Sequence, residues 1–107
     1  MSRAERDVAN MGDLISLLPH GKANAIGRDD LARRLQIPDR SVRRIMETLR
    51  DRGVMICNDQ DGKGYYIACS TDEVERQYRR DLARAKNIMK RLWASRMLLQ
   101  AAGRATE

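Results

Sequence analysis

The sequence predicts a mainly α fold that carries a small β-hairpin and continues into a long terminal helix. Three observations predict it. Between Val8 and Leu49, apolar residues recur three and four positions apart in three separate runs. Two short β-prone runs then flank a stretch dense in Asn, Asp and Gly. Phe is absent and the aromatics are three Tyr and one Trp, so the core rests on Leu, Ile, Val, Met and Ala, which suits a small helical domain better than a β-sandwich.

The first seven residues are polar and are expected to fray. Val8, Met11, Leu14, Ile15 and Leu18 form the apolar stripe of a first helix. Gly12 weakens that helix by roughly 1 kcal/mol relative to Ala, and Pro19-His20-Gly21 stops it. A loop is expected from there to Gly27. Arg28 to Leu35 forms a short second helix, with Asp29 and Asp30 in its first turn, where carboxylates complement the macrodipole. Leu31, Ala32 and Leu35 are its inner positions. Ile37-Pro38 ends it, because the residue before a proline avoids the helical region.

Asp39 is placed to cap a third helix whose inner stripe is Val42, Ile45, Met46 and Leu49. Gly53 is placed to close it in a left-handed cap. Strands follow at 54–57 and 65–68, joined by a long turn. A turn centred near Asp61 pairs Cys57 with Tyr65 and keeps it away from Cys69. Of the adjacent Tyr65 and Tyr66, one is expected inside and one outside. A final helix runs from Asp72 to about Ala102, with Thr71 as its expected cap. Unbroken, it spans about 45 Å.

Helix, short helix, turn, helix and hairpin follow one another in the order of a winged helix-turn-helix. The stretches DDLARRLQIPDRSVRRIMETLRDRGVMI and GKGYYIA resemble that family of DNA-binding domains over 8–70. The sequence Gln36-Ile37-Pro38 departs from the Gly or Ser that many such turns carry after the short helix. Asn24-Ala25-Ile26, Gly64-Tyr65-Tyr66 and the Arg-rich terminal helix also resemble small DNA-binding proteins of bacteria and their prophages. The resemblance implies double-stranded DNA as partner and transcriptional regulation as role. A protein-interaction module acting on a host complex, or a replication or packaging accessory, is the alternative.

The residues support the same expectation independently. The chain of 107 residues has a net charge of +6 and a pI near 9.9, which favours a polyanionic partner. With the apolar stripe of the third helix turned inward, Arg40, Arg44, Glu47 and Asp51 fall on the opposite face. Arg43 lies on one flank, and Ser41 and Thr48 lie on the other. The first half of such a helix enters the major groove, and an Arg fork can bond both acceptors of guanine. Glu47 accepts from cytosine or, the favoured reading, pairs with Arg43, Arg44 or Arg50. Arg28 and Arg33 on the short helix, and Lys63 in the wing, are candidates for phosphate contact.

In the final helix, Tyr78, Leu82, Ala85, Met89, Leu92, Arg96 and Leu99 alternate by four and three, widened by Ile88 and Trp93. Leu82, Ala85, Met89, Leu92, Trp93 and Leu99 are the expected interface of a homodimer, so 71–102 reads as a dimerisation or partner-binding element. Folding back onto the same chain is the other possibility. No motif of an enzyme, metal site or cofactor is present. No apolar run approaches the ~18 residues of a membrane span, and two cysteines make no disulfide framework. The expected location is cytoplasmic.

Overall fold

The computed structural model describes residues 1–59 and 64–105. It is mainly helical, with one two-stranded antiparallel sheet. The elements are α1 (Arg3–Leu17), a single 3-10 turn (Lys22–Asn24), α2 (Arg28–Leu35), α3 (Asp39–Asp51), β1 (Ile56–Asn58), β2 (Tyr65–Ile67) and α4 (Thr71–Ala101). Two compact units divide the chain, Met1–Glu75 and Arg76–Glu107, so the first turn of α4 belongs with the first unit.

α1 begins five residues or so before the expected start, and residues 3–7 are helical instead of frayed. The cause is Ser2, whose hydroxyl accepts from the Glu5 amide at 3.2 Å, the Ser-x-x-Glu arrangement of a capping box. Leu14 and Leu18 are buried and Met11 and Leu17 half-buried, but Val8 and Ile15, expected inside, are exposed. At about 100° per residue, Met11, Leu14 and Leu18 share one face and leave Val8 and Ile15 on its shoulders. Gly12 does not interrupt the helix.

The stretch 19–26 is no plain loop. Ile67 donates to the Pro19 carbonyl at 2.8 Å, and Gly21 donates to the Ile67 carbonyl at 2.9 Å. Ile26 and Tyr65 exchange both backbone bonds, at 3.0 and 2.8 Å. These bridges line the edge of β2 opposite β1.

α2 closes with Gln36 in the left-handed region at φ 56°, and the Ile37 amide reaches back to the Ala32 carbonyl at 3.1 Å. Pro38, not Asp39, is the residue at the N-cap of α3, and its carbonyl accepts from Ser41 and Val42. Asp39 is already helical, and its carboxylate is turned to Arg28 instead of capping the helix. Gly53 ends α3 at φ 93° as expected. Val42, Ile45, Met46 and Leu49 all lie within the core with Leu14, Leu18, Leu31, Ile56 and Tyr65. Each full side-chain burial of this kind contributes roughly 1.5–3 kcal/mol.

The hairpin register differs by one from expectation: Cys57 faces Tyr66, and Asn58 faces Tyr65. The strands are correspondingly offset from 54–57 and 65–68. The Asp59 amide bonds the Gly64 carbonyl at 3.0 Å, and that closing pair sets the register. Both tyrosines are buried, against the expectation that one faces out. Tyr65 packs into the core, while Tyr66 shares the other face with Cys57, whose thiol lies 3.9 Å from the Glu73 carbonyl in the first turn of α4. Ser70 rather than Thr71 caps that helix, accepting from the Glu73 amide at 3.2 Å. The Glu73 carboxylate then accepts from the Lys22 and Cys69 amides, each at 2.9 Å. Neither Cys57 nor Cys69 is in a disulfide.

The second unit is helical through Ala101, and no described helix is long and apolar enough to cross a membrane.

Candidate nucleic-acid interface

The inward stripe of α3 fixes which side chains face out. Val42 is 0 % exposed and Leu49, the most open of the four, only 4 %, so the helix cannot turn about its axis without uncovering its core. Arg40 and Arg43 are exposed, and among the described residues neither has an ion-pair partner. Both lie in the N-terminal half of α3. Ser41 is half-buried on the flank opposite Arg43.

The remaining candidates are engaged to different degrees. Arg44 is exposed but bonds Asp7 of α1 through one guanidinium nitrogen at 3.1 Å. An open ion pair of this sort is worth only about 0–1 kcal/mol, so it restrains Arg44 without locking it. Glu47 is exposed, and the expected pair with Arg43, Arg44 or Arg50 is not formed. Arg44 goes to Asp7 because α1 passes within reach, and Arg50 donates to the Ile56 carbonyl at 3.1 Å while lying 6.0 Å from the Tyr65 ring. Thr48 is half-buried, and its hydroxyl donates to the Arg44 carbonyl at 3.0 Å, one turn back.

On α2, Arg33 is exposed and paired with Asp30 one turn earlier. Arg28 has a different position from the one a phosphate contact needs. Its guanidinium is half-buried and donates to the Asp39 carboxylate and to the Tyr65 hydroxyl, the latter at 3.2 Å. The bond to Asp39 outweighs burial and holds the Arg28 pKa above its ordinary value, so it is a permanent cation. It joins the start of α2, the start of α3 and β2 in one polar cluster. Nothing in a periodicity argument signals such a tie, since its three members lie far apart in sequence. Lys63 lies outside the described residues, as does the turn that holds it.

Tyr66 is a second buried polar group beside the hairpin. Its hydroxyl donates to Asp59 at 3.4 Å, and burial, reinforced by Asp59, Cys57 and Glu73, pushes its pKa up to about 12. The candidate surface that remains is a ridge of exposed guanidinium groups on a firmly seated helix. Such groups bond phosphate and the acceptor edge of guanine, and they do so without a cofactor. No family model matches the chain, and neither a curated protein nor a solved structure matches it.

Proposed function

We propose that the first unit binds double-stranded DNA with sequence preference and acts as a transcriptional regulator. In this reading α3 lies in the major groove. Arg40 and Arg43 reach base edges, with Ser41 on the flank away from Arg43, and Arg44 and Arg33 hold the phosphate backbone. Arg28 acts from inside, fixing the angle between α2, α3 and the hairpin. The observation that carries the reading is the pairing of a buried stripe with unpartnered cations: Val42, Ile45, Met46 and Leu49 are inside, and Arg40 and Arg43 are outside without ion-pair partners among the described residues. The net charge of +6 favours the same class of partner.

The test is selection of bound sequences from random duplex, followed by affinity measurements at two salt concentrations. Phosphate contacts release counterions, so affinity falls steeply as salt rises. Arg40→Ala is expected to cost about 1–3 kcal/mol on the selected site and less on random duplex. Equal losses on both would reduce Arg40 to a phosphate contact.

A second reading, a protein-interaction module, draws on the carboxylates near the same helix. Glu47 and Asp51 are exposed on α3, and Asp7 stands against Arg44. Acidic groups here oppose phosphate. A stable protein partner together with no salt-sensitive DNA shift selects this reading over the first.

A further inference from the structure

The second unit leaves large apolar side chains in the open. Met89 is 65 % exposed, Leu92 59 % and Trp93 66 %, and a groove on the helix is lined by these three with Arg96 and Leu99. Positions 78, 82, 85, 89, 92, 96 and 99 fall on one seam at alternating spacings of four and three.

We propose that this seam pairs with α4 of a second copy of the chain, and that the two helices run antiparallel. Size supports a second copy. A buried aliphatic side chain removes roughly 60–120 Å² of apolar surface at the usual transfer coefficient, so the seam on two helices removes on the order of 1,000 Å², the scale of a specific interface.

Charge is uneven along the helix. All the carboxylates of α4, Asp72, Glu73, Glu75 and Asp81, precede Leu82. From Leu82 to Ala101 the helix carries Arg84, Lys86, Lys90, Arg91 and Arg96 and no acid. A parallel pair in register lays all five cations beside the same five of its partner. An antiparallel pair about Asn87 still faces 82–92 with the partner's 82–92, and it moves Arg96 beside the partner's 73–81, where Glu73, Glu75 and Asp81 stand among Arg76, Arg79 and Arg80.

The seam sets the direction. In a parallel pair in register, Arg96 meets the partner's Arg96, two like charges in an apolar layer. In the antiparallel register that sets Leu82 on the partner's Leu92, Met89 meets the partner's Ala85, and Arg96 meets the partner's Tyr78, whose ring face accepts a guanidinium. The large residue against the small one and the cation against the aromatic fill these layers without repulsion, and Leu99 falls beside the partner's Glu75 at the end of the pair. The pairing stands apart from the DNA reading: a dimer without DNA affinity supports it, and a monomer that binds DNA overturns it alone.

The test is sedimentation of the full chain, then distance measurement between spin labels. Labels go on single cysteines introduced by Lys86→Cys or Gln100→Cys in a Cys69→Ala background, where the remaining native thiol, Cys57, is buried. The expected result is a dimer with a short distance for the label at 86 and about 40 Å for the label at 100, from the helical rise on either side of a midpoint at Asn87. Short distances at both positions mean a parallel pair and overturn the proposal, as does a monomer at every concentration. Leu92→Asp is expected to weaken the dimer on the order of 100-fold, whereas Leu98→Asp, off the seam, leaves it intact. Equal effects of the two substitutions overturn the seam.

Discussion

Gly21→Ala is expected to destabilise the first unit by about 2–3 kcal/mol, and the reasons can be separated. Gly21 is buried, with φ 87° and ψ 148°. That region is essentially restricted to glycine, and placing a side chain there costs about 1–3 kcal/mol. An added Cβ also meets the Cys69 sulfur at 3.0 Å, so the thiol must shift. The backbone cannot relax freely, because the Gly21 amide is bonded to the Ile67 carbonyl at 2.9 Å and Glu73 pins both neighbours, Lys22 and Cys69. For a domain of this size, 2–3 kcal/mol lowers Tm by roughly 10–20 °C. Amide hydrogen exchange at Leu31, Ile45 and Tyr65 is the assay, since it reports the first unit alone. Adding Cys69→Ala should recover the steric part and leave the backbone part. A Gly21→Ala protein within about 0.5 kcal/mol of the parent would refute the claim that 19–26 is locked to β2, since surface changes lie in that range.

Three further predictions follow from the described contacts. Gln36→Gly should stabilise the first unit by up to about 1 kcal/mol, because Gln36 holds φ 56° at the end of α2, where glycine carries no Cβ penalty; chemical unfolding that shows a loss instead would mean the glutamine side chain contributes a bond of its own. Asp7→Asn should change stability by less than about 1 kcal/mol and, if Arg44 contacts DNA, raise affinity by no more than about fivefold; weaker DNA binding would mean that Asp7 positions Arg44 for contact. Tyr66 gives a pH signature. Its proton is held up to about 12 in the folded chain against an ordinary value near 10, so its contribution is complete below 10 and is lost as pH rises towards 12; Tyr66→Phe should flatten that alkaline decline in a denaturation series, and an unchanged slope would refute it.

The sequence carried the helices more fully than their ends. The stripe of α3 is legible because four apolar residues at helical spacing leave one solution, and all four are buried. The shoulders of α1 are not legible from spacing, because Val8 and Ile15 satisfy a loose count of three and four, yet only one arc of the helix meets α2 and α3. The early start of α1 and the cap of α4 each had a local signature, Ser2-Arg3-Ala4-Glu5 and Ser70-Thr71-Asp72-Glu73, a Ser-x-x-Glu run, whereas the shift of the α3 cap from Asp39 to Pro38 had none. The Cys57–Tyr66 register depended on one closing bond, Asp59 to Gly64, which composition does not reveal. Of the candidate site, the exposure of Arg40 and Arg43 was legible from period alone. The engagement of Arg28 by Asp39 and Tyr65, and of Arg44 by Asp7, was not, because long-range pairing depends on how helices cross rather than on what each contains.

The occupation of both sides of β2 limits what can be inserted or attached nearby. An extended peptide that seeks main-chain partners finds no vacancy on that strand, which guards it from templated growth into larger sheets. The same arrangement makes 19–26 a poor place for a tag or an inserted segment, although its polarity and length suggest a tolerant linker. An epitope spliced there would unzip the Ile26–Tyr65 exchange and loosen the seat on which the Arg28 cluster holds α3.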